Sequence, residues 1–230
     1  MKPKVIVVPD VHGRTFWKDI LPHVGKSRII FLGDYLDPYY DDAIVFNMTQ
    51  ESVIQNFEEI IVFKRTHADS VTLLLGNHDC EYMYGRSVCD DRCDKWNYER
   101  IQTLFRENKD CFQIATECFI AGKPYIFSHA GLHIKWLDDH VSEWTPESMV
   151  NLVNKLNEEA LACSDPEHTG FARALAKEIN IVLVRIKSVV RYGQMRNLLW
   201  RNICWPMLFR SSDIAGPLVC NLELPALSCF

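Results

Sequence analysis

Four short clusters hold most of the side chains in this 230-residue chain that are equipped to bind a metal ion or move a proton. They are Asp10-Val11-His12-Gly13, Gly33-Asp34-Tyr35-Leu36-Asp37, Gly76-Asn77-His78-Asp79 and Ser128-His129-Ala130-Gly131. The first three each follow an apolar run that reads as a strand, so Asp34 stands at a strand end bound for the interior. A buried carboxylate without a partner costs several kcal/mol or is driven to its neutral form. Cations are the partner this donor set suits. Carboxylate oxygens with imidazole nitrogens favour manganese, iron or zinc, and one carboxylate can bridge two such ions. On that chemistry Asp10 and His12 address one ion, Asn77 and His129 a second, and Asp34 stands between them. The adjacent glycines let backbone approach a crowded centre.

Such a centre needs elements that bring distant clusters together, and the hydrophobic pattern predicts them. Strands are expected over 5–8, 28–32 and 71–75. Helices are expected over 15–24, over 48–65 with an apolar stripe and a cap from Asn47 with Gln50, and over 95–107. A β-hairpin is expected from 112–120 and 124–127, and Thr145-Pro146-Glu147 opens a further helix. This alternation describes an α/β sandwich, in which loops at the carboxyl ends of strands converge on one crevice. Trp17, Trp96 and Trp136 fit packing faces of helices, and Asp41 with Asp42 reads as a solvated loop.

A net charge of −5 without a long basic block argues against general electrostatic gripping of nucleic acid. No apolar stretch approaches a membrane span, and the run at 5–8 is too short for a signal-peptide core. Nine cysteines, an odd number without paired metal-site spacing, read as reduced thiols of a cytoplasmic protein.

The order DxHG, GDxxD, GNHD and SHAG resembles the calcineurin-like metallophosphoesterases, over residues 5 to about 133. The resemblance implies a four-layer α/β/β/α sandwich with a dinuclear metal centre at the sheet ends. Two divalent or trivalent ions are implied, manganese foremost, with iron, zinc or nickel as the others. Asp10, His12, Asp34, Asn77 and His129 would be their ligands. His78 would protonate the leaving oxygen, and Asp37 would orient His78. The implied reaction is hydrolysis of a phosphomonoester, phosphoserine or phosphothreonine included, by direct attack of a metal-bridging hydroxide. The substrate would be a phosphorylated protein or small molecule. A dinucleoside polyphosphate hydrolase or phosphodiesterase is the rival enzyme. A non-catalytic metal-binding protein is the rival of another class.

Two departures from the family pattern stand out. After His140 the chain has only His168, in a turn-rich stretch, where the family carries a late histidine motif. Water, His133, His168 or a cysteine is left to fill that coordination. The composition changes at about residue 196, which divides the chain into a metallophosphoesterase domain over 1–195 and an atypical tail over 196–230. That tail is expected to be incomplete or irregular, through alteration or truncation. The second departure is Pro38-Tyr39 after Asp37, where the phosphatases of the family carry arginine and glycine. Arginine suits bidentate phosphate contacts, so Arg14 and Arg86 are the candidates for substrate binding, beside Asn77.

Overall fold

The computed structural model describes residues 4–84, 92–120, 123–129, 145–162 and 218–220. Strand β1, Lys4–Val8, pairs in parallel with β2, Ser27–Phe31, which pairs with β3, Val71–Leu74, which pairs with β4, Phe112–Gln113. On the other edge of β1 lies β7, Leu218–Cys220, antiparallel, with Ile6 opposite Val219. The five-stranded sheet thus runs β4-β3-β2-β1-β7, and a separate antiparallel pair joins β5, Ala115–Ile120, to β6, Lys123–Ser128.

Both faces of the main sheet are covered, which explains why its strands read as continuous apolar runs. Ile6, Val8, Ile29, Phe31, Leu73 and Leu75 turn to one face, packed with Trp17 and Ile20 and with Ile54, Phe57 and Ile60 of a long helix. Val5, Val7, Ile30, Leu32 and Leu74 turn to the other, against Cys118, Tyr125 and Phe127 of the β5–β6 pair. Ile126 and Ala115, of opposite alternation on that pair, belong with Met149, Val150 and Val153 of helix α5, Pro146–Ala162. The order helices, sheet, hairpin, helix is the four-layer arrangement expected.

The connections are helical. A 3-10 helix, Phe16–His23, follows β1 and carries Pro22 inside it. Helices α1, Tyr40–Val45, and α2, Gln50–Thr66, follow β2, and α3, Asn77–Tyr84, and α4, Tyr98–Glu107, follow β3. Several expectations are corrected here. The cap of α2 is Thr49, whose hydroxyl accepts from Ser52 N at 3.1 Å while Ser52 Oγ accepts from Thr49 N at 2.9 Å. Asn47 is not the cap; it lies before the helix in a left-handed backbone, φ 50°. Asp41 and Asp42 lie in α1 rather than in a loop.

The stretch 112–120 is not one hairpin arm. Phe112 and Gln113 join the main sheet, and only from Ala115 does the chain pair with β6. At the change of sheet the amides of Ile114 and Ala115 both donate to Asn154 Oδ1, at 2.9 and 3.1 Å, and Asn154 Nδ2 returns a bond to Ala115 O at 2.9 Å. A side chain of α5 therefore satisfies the backbone groups that neither sheet takes up. Trp17 is buried as expected, whereas Trp96 is 89% exposed. Trp136 lies outside the described residues. The tail expected to be irregular supplies an edge strand at Leu218–Cys220.

Candidate functional site

Because β1, β2 and β3 are parallel and adjacent, the turns after them leave the same end of the sheet, and backbone hydrogen bonds lock them together. Val11 N and His12 N donate to Asp34 O at 3.0 and 2.7 Å, and Gly13 N donates to Tyr35 O at 2.9 Å. The second and third turns approach so closely that side chains are excluded. A Cβ on Gly33 would overlap the backbone nitrogen of Gly76, and one on Gly76 would overlap the Asp34 carboxylate. His12, Asp34 and Asp37 adopt left-handed backbones, φ 46°, 52° and 58°, in a region that non-glycine residues enter at a cost.

Asp79 holds that strained geometry. Its Oδ2 accepts from Asp34 N and from Gly76 N, both at 2.7 Å, and its Oδ1 accepts from Tyr35 N at 3.0 Å. Burial, and then the neighbouring Asp34, push the Asp79 carboxyl up to about 8, with the three backbone N–H groups pulling the other way. Asp34 in turn accepts from His78 N through Oδ1 at 3.0 Å.

Asp10, His12 and Asp34 form a cluster whose potential ligand atoms all lie within 4.8 Å of one another. His12 Nε2 is 3.9 Å from Asp10 Oδ2 and 3.7 Å from Asp34 Oδ2. His129 Nε2 is 3.4 Å from Asp34 Oδ2 and 3.2 Å from Asn77 Oδ1. The second nitrogen of each ring reports the tautomer. His12 Nδ1 meets Leu36 O at 2.9 Å and His129 Nδ1 meets Leu32 O at 3.0 Å. A carbonyl oxygen can only accept, so Nδ1 carries the proton in each ring, and a neutral ring presents an Nε2 lone pair to the carboxylates. Burial lowers the pKa of His12, against the opposing pull of Asp34 and Asp10. Lone pairs and carboxylate oxygens converging at these distances repel one another, and a cation among them turns that repulsion into coordination. The donors therefore fit metal ions, with each imidazole oriented by a backbone carbonyl.

Beside this cluster sits a different pair. His78 Nδ1 is 2.9 Å from Asp37 Oδ2, and Tyr82 Oη donates to Asp37 Oδ1 at 2.6 Å. Burial opposes protonation of His78, but the Asp37 hydrogen bond and the charges of Asp34 and Asp37 outweigh it, so its pKa lies above the ordinary value. The His78 and His12 rings meet edge to face at 5.3 Å.

The sequence candidates for substrate binding separate. Arg14 donates from Nε to Val11 O at 3.1 Å and from Nη2 to Asp10 O at 2.7 Å, with Nη1 3.6 Å from Asp42 Oδ2. It braces the first turn and ties it to α1. Arg86, His133 and His168 lie outside the described residues. Asn77 opens α3, with its Oδ1 3.2 Å from His129 Nε2. Two residues escaped the sequence reading. Asp79 stood inside the GNHD motif with no metal or catalytic role attached, and Arg92, whose Nη2 lies 2.6 Å from His78 Nε2, comes from an acidic segment without periodicity.

The sequence model of the calcineurin-like phosphoesterase family matches residues 3–184. Among solved structures, a protein serine/threonine phosphatase from Saccharomyces cerevisiae, described as similar to human phosphatase PP5, aligns at 24% identity over 57% of this chain and 39% of its own, with a TM-score of 0.36. A cold-active protein-tyrosine phosphatase of a psychrophilic Shewanella species aligns at 19% identity over 72% of this chain and 50% of its own, with a TM-score of 0.39. This chain thus matches half or less of the length of either protein.

Proposed function

The chain belongs to the calcineurin-like phosphoesterase family, and from that premise we propose that it is a metal-dependent phosphoesterase acting on a phosphomonoester. The observation that carries the reading is the pair of imidazoles, His12 and His129, each fixed through Nδ1 by a backbone carbonyl so that Nε2 meets Asp34 within 3.7 Å. Asp10, His12 and Asp34 would hold one ion; Asp34, Asn77 and His129 a second. When bound, the ions supply charge neutralisation at the phosphoryl oxygens and an ionised water for direct attack on phosphorus.

The chain's own part is the proton. An alkoxide leaves poorly, and His78 stands beside the cluster to protonate it at Nε2, a contribution of roughly a hundredfold or more. Asp37 fixes the tautomer by accepting the Nδ1 proton, and the Tyr82 hydroxyl holds the other carboxylate oxygen in place. No nucleophilic side chain is needed, so the reaction passes through no phosphorylated protein. A phosphorylated protein or small molecule in the cytoplasm is the substrate class this reading carries.

Four substrates supplied side by side to the manganese-loaded full chain test it: p-nitrophenyl phosphate, its bis ester, a phosphopeptide and diadenosine tetraphosphate. Turnover of the monoesters, abolished by chelation and restored by manganese, is expected. Turnover confined to the bis ester or the dinucleotide would move the assignment to a phosphodiesterase or dinucleotide hydrolase. Metal binding without any hydrolysis would leave a non-catalytic metal-binding protein.

A further inference from the structure

The turn after Asp37 carries Pro38-Tyr39 and no arginine, and the Arg14 guanidinium is engaged by Val11, Asp10 and Asp42. A different arginine reaches the centre from the segment before α4. The Arg92 guanidinium carbon lies 4.1 Å from the centre of the Tyr39 ring, Nη1 donates to Asp37 O at 3.2 Å, and Nη2 meets His78 Nε2 at 2.6 Å. The Tyr39 ring itself stands edge-on to His12 at 4.9 Å. Arg92 is therefore stacked, oriented and directed at the one nitrogen that the reaction needs. Arg92 and Asp37 also line a cleft of about 490 Å³, walled largely by apolar side chains that include Leu36, Pro38, Met48 and Val53.

We propose that Arg92 receives the phosphoryl oxygens of the substrate in place of the arginine absent after Asp37, and that an apolar, aryl-sized leaving group occupies this cleft. The inference rests on the phosphoesterase reading and names its substrate class. A planar guanidinium matches a phosphate with two parallel donors, and stacking on Tyr39 sets its plane in advance. A phosphate dianion is a stronger acceptor than a neutral imidazole, so the guanidinium exchanges His78 for the arriving phosphoryl group. That exchange frees Nε2 to take up a proton from solvent and pass it to the leaving oxygen. Asp37 and Arg92, which both meet His78, also line the cleft, so the leaving group would pass them to enter it. Its volume lies within the roughly 300–1,000 Å³ of small-molecule sites, and its walls reward an apolar body over a hydroxylated one.

The test uses the full chain loaded with manganese, as wild type, Arg92→Ala and Arg92→Lys, with phenyl phosphate as substrate and two non-hydrolysable probes, phenylphosphonate and methylphosphonate. Calorimetry on wild type is expected to find phenylphosphonate bound about tenfold more tightly than methylphosphonate. Arg92→Ala should weaken phenylphosphonate about ten- to a hundredfold and raise KM for phenyl phosphate by a similar factor, with a smaller fall in kcat. Arg92→Lys, which keeps the charge but not the fork, should fall between the two. Metal content and melting temperature should match wild type in both variants, and Arg92→Lys carries the test alone if Arg92→Ala does not fold. Unchanged phenylphosphonate affinity in the variants, or equal affinity for the two probes in wild type, overturns the proposal. Arginine-dependent phosphonate binding without hydrolysis of any ester would uphold the receptor while sinking the phosphoesterase reading.

Discussion

Asp34 and Asp79 are both fully buried carboxyl groups, yet the surroundings give them different work. Asp79 faces three backbone N–H groups and fastens the second turn to the third, while Asp34 turns Oδ2 toward two imidazoles. Three non-glycine residues at the site hold left-handed backbones, each at an expense of about 1 kcal/mol or more. Such strain persists only where neighbouring bonds over-determine it, and Asp79 supplies them around Asp34. The division between metal holding and proton transfer leads to a paired prediction. His78→Asn should lower kcat by about a hundredfold with the metal stoichiometry of wild type by elemental analysis. Asp34→Asn should lower metal content and turnover together. Metal loss in the first variant, or full turnover in either, would refute the division of roles.

Among the elements, α2 shows how closely local chemistry sets a boundary. Its seventeen residues, Gln50–Thr66, bury Val53, Ile54, Phe57, Ile60 and Ile61 on the stripe read from the sequence, but the helix begins two residues later than the pattern suggested. Thr49 and Ser52 exchange side-chain and backbone bonds, a reciprocal arrangement that the Asn47–Gln50 pair does not form. Thr49→Ala should therefore cost about 1 kcal/mol in denaturant unfolding of the metal-free protein, with m-value unchanged. Helix α3 was not visible as a helix because its first residues, Asn77, His78 and Asp79, are those of a turn motif. The break between β4 and β5 was equally hidden, since the residue that permits it, Asn154, lies about forty positions away.

Across the whole molecule, parallel strands buried on both faces leave the turns at their carboxyl ends as the place where polar side chains gather. The described helices include none long and apolar enough to cross a membrane. The edge of β1 is covered by Leu218–Cys220, so part of the compositionally unusual tail caps the sheet on the side away from β2. The interior also shelters thiols. Burial raises the pKa of Cys80 and Cys111, and pushes Cys93 up to about 12. A raised pKa keeps the sulfur protonated at pH 8, and the thiolate is the reactive form. Brief iodoacetamide treatment at pH 8 should therefore leave these three unlabelled in the native chain and label them in guanidinium, as read by peptide mass spectrometry. Native labelling at any of them would contradict the packing around it.

Short-range pattern was enough to place β1, β2, β3 and the stripe of α2, because a strand or helix records its own period in the spacing of its apolar residues. The motifs at the strand ends were legible for the same reason: Asp10, His12, Asp34, Asn77 and His78 follow directly from runs whose direction was readable. Contacts between segments leave no such record. The claim of Arg92 on His78, the grip of Asp79 on the amides around Asp34, the engagement of Arg14 by its own turn and the solvent exposure of Trp96 were decided only when the layers packed. Each depends on which side chain arrives from tens of residues away, and neither periodicity nor composition carries that distance.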